Sequence, residues 1–348
     1  MKIKKNRNLT LDKFINLSLY DKNFGYYMKK NPFGKKGDFI TAPNVSRLFS
    51  EMIAIWILSF WQSLGSPKKI NLIELGAGNG EMMKILIESF INFPDFFESC
   101  NLIIFEKSPS LIAIQKEKLK KNKVTWITKI EKIKEGPCIF IANEFFDSLP
   151  IKQFEKKNNY WFEKFVNLRD KEKSFFSEKK VNIKKIENKI KFKISNNQSF
   201  IEYSELGLSY LRKIAKIIKK NAGGLLLIDY GYNNKKMKNT LQAVSNHKFA
   251  NILDDFGNVD ITHKINFNLF KEIINQMGGL KNNLTTQKNF LTKMGIKERA
   301  EIISKNQNFL KKADIFYRLE RLIHEKQMGS LFKVMLVKNK KNNFNLGF

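Results

Sequence analysis

The feature that most constrains this chain is a glycine-rich turn between a predicted buried strand and a predicted helix. Residues 70–75 are a short apolar run, residues 76–80 are Gly-Ala-Gly-Asn-Gly, and residues 81–90 carry apolar side chains at helical spacing. A strand that turns on glycines into a helix is typical of the opening unit of a parallel α/β sheet, whose ligands bind at the carboxyl ends of the strands. The sequence therefore predicts a ligand site at this turn.

Predicted strands and helices continue to alternate after the turn. Strands are predicted at residues 102–105, 124–127, 138–142 and 224–230, with helices at 111–119 and 206–220. Near the end of the chain, helical sequence at 297–326 separates strand-like residues 284–286 and 331–337. We therefore predict an α/β, Rossmann-like fold with a mostly parallel, doubly wound sheet and an antiparallel terminal strand.

The chain also divides into segments of different character. Helices at residues 9–19 and 45–63 predict an N-terminal lobe, and a hairpin turning at Asn158 and Asn159 predicts a β-rich insertion. The predicted segments are 1–68 (helical lobe with a lid loop), 69–150 (first half of the ligand-binding domain), 151–200 (basic insertion on the substrate side), 201–340 (second half) and 341–348 (polar tail).

The charge of the chain is strongly positive. Lys and Arg number 63 against 33 Asp and Glu, a formal net charge of +30, and only seven of the basic residues are Arg. Residues 151–200 hold fourteen basic and six acidic residues, so charge is concentrated in the insertion. Because Arg, not Lys, reads phosphates and bases with a planar fork, this composition is weak evidence for nucleic-acid recognition. A solvated lysine-rich surface and an acidic partner both remain open.

Other classes of protein are disfavoured by the apolar runs and the cysteines. The longest nearly unbroken apolar run, residues 52–61, is ten residues long, whereas a bilayer span needs about twenty. The N-terminus shows no secretory pattern. Cys100 and Cys138 fit neither a disulfide scaffold nor metal-ligand spacing, so we expect no metal and a reducing, cytoplasmic location.

The spacing of the glycines distinguishes between two kinds of cofactor. A dinucleotide fingerprint needs a third glycine at position 81, which is Glu81, and a carboxylate there repels a pyrophosphate. An acidic residue followed by alternating glycines suits S-adenosylmethionine, which is cationic, and Glu106 at the end of the next strand is placed to accept the ribose hydroxyls. The candidate cofactor-binding residues are Glu74, Gly76, Ala77, Gly78, Gly80, Glu106, Asp38 and Thr41. The alternative is an ordinary glycine-rich turn with a surface glutamate.

Six sequence motifs occur in this chain in the same order as in the MidA-type family of class I S-adenosylmethionine-dependent methyltransferases, and the chain resembles that family. They span about residues 10–337, and the most specific is Asn-Glu-Phe-Phe-Asp-Ser-Leu-Pro at residues 143–150. The others are GDFITAP at 37–43, ELGAGNG at 74–80, IDYG at 228–231, DITH at 260–263 and MGSLFKV at 328–334. The family usually has Glu after Pro43, and this chain has Asn44, which puts any carboxylate role there in doubt.

The resemblance implies a function. Mitochondrial members of the family methylate an arginine symmetrically on a core subunit of respiratory complex I and support its assembly. The same role, with a protein substrate, is the leading hypothesis here. The N-terminus shows no mitochondrial targeting pattern, so we expect a bacterial cytoplasmic protein. The alternatives are a non-catalytic S-adenosylmethionine-binding assembly factor and an RNA methyltransferase, although a nucleic-acid partner is not the expectation.

Candidate catalytic residues follow the predicted fourth and fifth strands. Glu144 and Asp147 are placed to hold a guanidinium, and Asn143 to hydrogen-bond the acceptor or the methionyl end of the cofactor. His263 could act as a general base because imidazole titrates near neutral pH. Each has a structural alternative: Asp147 could cap a turn, and His263 could be a buried histidine with satisfied hydrogen bonds.

Overall fold

The computed structural model describes residues 7–29, 41–133, 135–169, 173–245, 248–253 and 257–348. Asp38 and most of the predicted lid motif lie outside these ranges. The chain forms two compact units, each built from separate stretches of sequence. The first unit comprises Met1–Lys30, Phe146–Arg212 and Tyr232–Ile273, and the second comprises Asn31–Phe145, Lys213–Gly231 and Ile274–Phe348. The segment boundaries proposed from the sequence stay predictions.

The strands of the described residues are, in chain order, β1 (Arg7–Thr10), β2 (Ile70–Leu75), β3 (Cys100–Phe105), β4 (Val124–Ile127), β5 (Cys138–Asn143), β6 (Lys152–Lys157), β7 (Tyr160–Leu168), β8 (Phe175–Val181), β9 (Phe200–Tyr203), β10 (Gly223–Tyr232), β11 (Gln242–Ser245), β12 (Lys248–Ala250), β13 (Asp260–Thr262), β14 (Ile265–Asn266), β15 (Leu280–Thr286) and β16 (Phe332–Asn339).

The α-helices are α1 (Leu11–Tyr20), α2 (Tyr26–Lys29), α3 (Ala42–Val45), α4 (Arg47–Ser63), α5 (Glu81–Phe90), α6 (Pro94–Ser99), α7 (Pro109–Lys118), α8 (Ile183–Ile190), α9 (Glu205–Asn221), α10 (Phe267–Met277), α11 (Gln287–Lys293), α12 (Ile296–Ser304) and α13 (Phe309–Ile323). A 3₁₀ turn lies at Ile130–Lys132 and a π-type turn at Glu325–Gly329.

The second unit contains the predicted mostly parallel sheet. Its strand order is β15-β16-β10-β5-β2-β3-β4. The pairs from β10 to β4 are parallel, whereas β16 is antiparallel to both of its neighbours. The prediction of a Rossmann-like fold with an antiparallel terminal strand is confirmed. Every residue of β2 and β5 is buried, as expected of a sheet covered on both faces, and the two strands are mostly apolar, with Asn71, Glu74 and Asn143 as the polar exceptions.

One glycine shows how closely the central strands fit together. Gly223 begins β10 with φ +114°, and a Cβ atom there would lie 1.9 Å from the carbonyl oxygen of Cys138 on β5. Only glycine avoids this clash and adopts this backbone conformation without strain. The start of the parallel pair β10–β5 therefore depends on it.

The first unit contains an antiparallel sheet of order β1-β7-β6-β9, with β8 also paired to β7. The predicted hairpin is present, because β6 and β7 pair and the chain turns at Asn158 (φ +47°) and Asn159 (φ +65°). Two consecutive left-handed residues are the geometry of a type I′ turn, which asparagine tolerates better than most residues. A smaller sheet of order β12-β11-β13 lies in the same unit.

The N-terminal residues differ from the prediction. Residues 9 and 10 were assigned to the first helix, but β1 ends at Thr10 and pairs with β7, with Leu9 opposite Val166. The long apolar helix also begins at Arg47, two residues later than predicted, because Ser46 caps it by accepting a hydrogen bond from the Leu48 backbone. Within the described ranges, no helix is both long and apolar enough to cross a membrane.

Candidate functional site

The glycine-rich turn at residues 76–80 joins β2 to α5. Gly76, Gly78 and Gly80 have φ of +66°, +52° and +76°, a conformation that glycine adopts at no steric cost. The backbone N–H of Gly76 donates to the carbonyl oxygen of Phe105, 2.9 Å away, which fixes the turn against the end of β3. A Cβ atom at Gly76 would lie 2.8 Å from Cδ2 of Phe145. The turn therefore requires glycine for backbone and for packing reasons.

A cleft opens beside this turn in the second unit. It brings together seven residues that the sequence predicted for the site, namely Thr41, Glu74, Gly76, Ala77, Gly78, Asn143 and Glu144. The remaining lining residues are Pro43, Asn44, Asn79, Glu81 and Met82. Residues separated by up to a hundred positions in the chain therefore meet at the carboxyl edge of the parallel strands, where such folds bind ligands.

Glu74 is a buried carboxylate at the end of β2. Its side chain is 3% exposed, and Oε2 has no hydrogen-bond partner among the described residues. Burial raises the pKa of this carboxyl from its usual value to about 8, with a further contribution from Glu106, and the backbone N–H of Met83 partly offsets the rise. An unpartnered buried carboxylate oxygen beside a cleft is suited to a cationic ligand.

Glu106 follows β3 and is held from several directions. Its Oε1 accepts hydrogen bonds from the backbone N–H groups of Lys107 (2.8 Å) and Ser108 (2.9 Å), and its Oε2 accepts one from Gln115 Nε2 at 3.3 Å. Burial raises the pKa of Glu106, and these three hydrogen bonds act in the opposite direction. Among the described residues, Oε2 receives this single long hydrogen bond, so it keeps the capacity to accept another.

Gln115 is a site residue that the sequence analysis missed. It is fully buried, and its Nε2 donates to the carbonyl oxygen of Gly78 at 2.8 Å as well as to Glu106, while Trp126 Nε1 donates to its Oε1. One side chain thus ties the glycine turn to the acidic residue of the next strand. The signal was present: Gln115 lies midway between Leu111 and Leu119 at helical spacing, on the apolar face of α7.

Asn143 and Glu144 lie where β5 ends. Glu144 has φ +51°, which is strained for a non-glycine residue, and its backbone N–H donates to the carbonyl oxygen of Ile228 at 2.9 Å. Its Oε1 accepts hydrogen bonds from Asn143 Nδ2 (3.3 Å) and from the backbone of Ala42 (3.4 Å). Oδ1 of Asn143 is buried without a partner among the described residues. Both side chains therefore present polar atoms at the cleft.

Asn44, the residue that departs from the family pattern, connects the segment before α4 to the glycine turn. Its Oδ1 accepts from Asn79 Nδ2 at 3.0 Å, and its Nδ2 donates to Oγ1 of Thr41 at 2.8 Å. The Oδ1 of Asn79 in turn accepts from the backbone N–H of Glu81. Because an amide both donates and accepts, Asn44 completes a chain of hydrogen bonds that a carboxylate could not make in the same form.

Asp147 and His263, the other predicted catalytic residues, belong to the first unit. The backbone N–H of His263 donates to the backbone carbonyl oxygen of Asp147 at 3.1 Å. His263 is buried, and burial lowers the pKa of its imidazole to about 3. The side chain is therefore neutral throughout the physiological range and a weak base, which favours the structural alternative. The catalytic assignments of both residues stay predictions.

Three further side chains noted in the sequence have structural contacts. Phe145 packs against Gly76 and forms an edge-to-face pair with Phe105, with ring centroids 6.0 Å apart. Asp229 is fully buried, and its Oδ1 accepts from the backbone N–H of Tyr230 at 2.9 Å. Glu81, at the start of α5, forms an ion pair with Lys118 at 2.6 Å. In the part of the chain that the structure describes, no cluster of three or more His, Cys, Asp or Glu has the arrangement of a metal site.

Comparison with known proteins identifies the family. Residues 52–286, two thirds of the chain, match the model of a family described as putative S-adenosyl-L-methionine-dependent methyltransferases. The chain belongs to this family. The resemblance to MidA-type enzymes is confirmed, and so are the methyltransferase class and S-adenosylmethionine as the cofactor.

Individual relatives of this methyltransferase cover nearly all of it. The protein arginine methyltransferase NDUFAF7 of Xenopus laevis, named as mitochondrial, is 28% identical over 97% of this chain and 82% of its own length. The Caenorhabditis elegans homolog, also named as mitochondrial, is 30% identical over 79% of this chain and 70% of its own length. A crystal structure of a Burkholderia thailandensis protein bound to S-adenosyl-homocysteine superposes with a TM-score of 0.81 at 22% identity, covering 98% of this chain and 90% of that one, and shows the same fold.

The residues of the cleft fit the methyl donor. The unpartnered oxygens of Glu74 and Asn143 match the ammonium of the methionyl group, and the three glycines let a ligand approach the backbone. The cleft is lined by the carboxyl groups of Glu74, Glu81 and Glu144, which in their ionised form disfavour a phosphorylated ligand and favour a cationic one. The role of each residue is proposed below.

The predicted location of the methyltransferase is wrong. The absence of a targeting pattern led us to expect a cytoplasmic bacterial protein, but the curated relatives, from Xenopus laevis to Homo sapiens and Caenorhabditis elegans, are named as mitochondrial. These names contradict a cytoplasmic location and give no support to a bacterial origin. Transit peptides are recognised by a general amphipathic, Arg-rich and Ser-rich character and not by a fixed motif, so the lack of a recognisable pattern does not establish a location.

Proposed function

We propose that this methyltransferase transfers a methyl group to an arginine side chain of a protein. The names of the relatives, which are protein arginine methyltransferases, support the choice of arginine. The observation that carries the proposal is the position of Glu144, a carboxylate held in a strained backbone conformation at the cleft beside the glycine turn. Strain of this kind is typical of functional sites, where the surrounding structure fixes a side chain in position.

In this proposal the cofactor site is formed by Glu74 and the glycine turn, with Glu106 accepting the ribose hydroxyls. Bound S-adenosylmethionine supplies a methyl group activated by its sulfonium. The chain supplies position: Gln115 holds Glu106 and Gly78 together, and Asn44 holds the segment at residues 41–45 against Asn79. Aligning the reactants and excluding water account for most of what a displacement of this type requires from a protein.

Glu144 holds the acceptor in this mechanism. Its carboxylate accepts hydrogen bonds from the guanidinium and draws positive charge toward the nitrogens it contacts, which leaves the remaining nitrogen more nucleophilic. The hydrogen bonds that Oε1 receives from Asn143 and from the backbone of Ala42, at 3.3 and 3.4 Å, are long, so a charged donor competes with these two effectively. Asn143 assists by hydrogen-bonding the acceptor or the cofactor through its buried Oδ1.

The substitution Glu144→Gln tests this role. It keeps the shape of the side chain and removes the charge, so we expect turnover to fall by about a hundredfold or more, while affinity for S-adenosylmethionine, measured by calorimetry, stays within a few-fold. Glu117→Gln is the matched control, because Glu117 is an exposed glutamate that pairs only with nearby Lys120 among the described residues. Full activity of Glu144→Gln on the true acceptor would remove Glu144 from the acceptor site.

We further propose that the acceptor is a core subunit of respiratory complex I and that its arginine is dimethylated symmetrically, as the resemblance to the family implies. The same Glu144→Gln variant provides the test in cells. Mass spectrometry of cellular proteins should show a symmetric dimethylarginine that is lost in the variant and kept in the control. If the mark that disappears in the variant is on a different protein, arginine methylation remains the proposed activity, but that protein is the acceptor instead of the complex I subunit.

A further inference from the structure

Helix α13 carries apolar side chains on two sides. Leu319, Leu322 and Ile323, in its C-terminal half, are buried in the core of the second unit. Phe309 and Leu310, its first two residues, are instead 82% and 77% exposed. The helix thus begins with two large apolar side chains that no other described residue covers.

The same two helices carry further exposed apolar side chains. Ile302 near the end of α12 is 66% exposed, and Tyr317 on α13 is 65% exposed. Leu310 and Tyr317 are seven residues apart and therefore lie on the same face of the helix. We call Ile302, Phe309, Leu310 and Tyr317 the helix-tip patch, because the connection between α12 and α13 lies within it. Grouped exposed apolar side chains mark binding surfaces more often than isolated ones.

Positive charge surrounds the helix-tip patch. Residues 301–317 contain Lys305, Lys311 and Lys312 against Glu301 and Asp314, and Asp314 is paired with Arg318 at 2.7 Å. All three lysines are exposed, and two of them directly follow Phe309 and Leu310. The patch therefore combines apolar side chains with an excess of basic over acidic residues around it.

We propose that the helix-tip patch inserts into the surface of a membrane that contains anionic lipids. Apolar side chains interleaved with lysines are the composition of segments that lie at the boundary between headgroups and acyl chains. Anionic headgroups complement the three lysines, each of which contributes about a fivefold increase in affinity near such a surface. The high exposure at a connection between two helices favours a fluid lipid layer over a protein, because side chains that project from a surface enter lipid without needing a preformed pocket.

Vesicle flotation with the full-length protein tests the proposal. The probes are vesicles of phosphatidylcholine alone and vesicles with about 30% phosphatidylserine, at low and at physiological salt. We expect binding to the anionic vesicles only. The double variant Phe309→Ser, Leu310→Ser should lose about tenfold or more of this binding. The double variant Lys311→Gln, Lys312→Gln should bind more weakly, and its remaining binding should depend less on salt.

Phe249→Ser is the matched control, because Phe249 is also 82% exposed and follows a lysine, but lies in the first unit. It should bind vesicles like the unchanged protein. Thermal unfolding and S-adenosylmethionine affinity, expected to be unchanged in every variant, verify folding. The proposal is overturned if the unchanged protein does not bind anionic vesicles, if the double variant binds as well as the control, or if the double variant abolishes only self-association seen by sedimentation.

Discussion

Glu74 links the cofactor site to pH through its buried carboxyl. The pKa of about 8 lies above the value of the unfolded chain, so the free protein favours the protonated form. Its contribution to stability is therefore complete below the unfolded pKa and is lost as pH rises toward 8. A cationic ligand favours the ionised form instead, and must displace the proton when it binds below pH 8.

We predict that S-adenosylmethionine binding at about pH 6.5 releases close to one proton, and that affinity rises between about pH 6 and 7.5. The measurement is calorimetry in two buffers with different heats of ionisation. Glu74→Gln should bind more weakly and release no proton, whereas Glu117→Gln should behave as the unchanged protein. Proton release that persists in Glu74→Gln would assign the titration to another group.

The sequence pointed to individual residues of the cleft where a local pattern or a family motif contains them. Glu74 and Gly76 follow from the strand–turn–helix pattern, and Glu144 from the family motif. Gln115 and Asn44 act by hydrogen-bonding residues more than thirty positions away, and no local pattern reveals such a partner. His263 drew attention because histidine is rare in the chain, but its chemistry depends on burial, which lowers its pKa.

At the scale of secondary structure, elements with a strong local sequence signal were predicted correctly, and elements with a weak signal were missed. Strand β2 and helix α5 have the predicted bounds, because a mostly apolar run and a glycine turn define them. Strand β1 was missed, since Arg-Asn-Leu-Thr has no apolar alternation and becomes a strand only by pairing with β7. The turn between β6 and β7 was predicted from two asparagines alone.

That turn provides a prediction about stability. Asn159 has φ +65° and follows a second left-handed residue, and Asn-Gly is the preferred pair for this turn type. We expect Asn159→Gly to increase the free energy of unfolding by on the order of 0.5 kcal/mol, because glycine adopts this conformation without strain. Thermal or urea unfolding measures the change. Asn197→Gly, at another left-handed asparagine outside the hairpin, is the comparison, and a loss of stability in Asn159→Gly would show that the side chain of Asn159 matters more than its backbone.

At the scale of the molecule, the net charge of +30 is the dominant electrostatic property. Excess charge of one sign disfavours a compact state through self-repulsion, and salt screens this repulsion. We predict that the melting temperature rises as sodium chloride increases from about 0.05 to 0.3 M. Differential scanning calorimetry measures this, with glycerol at matched osmolality as the control. A melting temperature that falls with salt would mean that attractive ion pairs outweigh the repulsion.

The division into two units could not be read from the sequence. The chain leaves and re-enters each unit several times, and one boundary falls between Arg212 and Lys213, within α9. A continuous helix gives no compositional sign of such a boundary. The fold class, by contrast, follows from the order of strands and helices, which local patterns record well.

The position of β16 has a consequence for biosynthesis. This strand, the last in the chain, lies between β10 and β15, so the sheet is interrupted there until residues 332–339 are available. Until β16 has emerged from the ribosome, β15 lacks its neighbour and β10 exposes an unpaired edge. The sheet is therefore completed only after β16 has been synthesised, and premature termination even shortly before residue 332 leaves an open edge that invites aggregation.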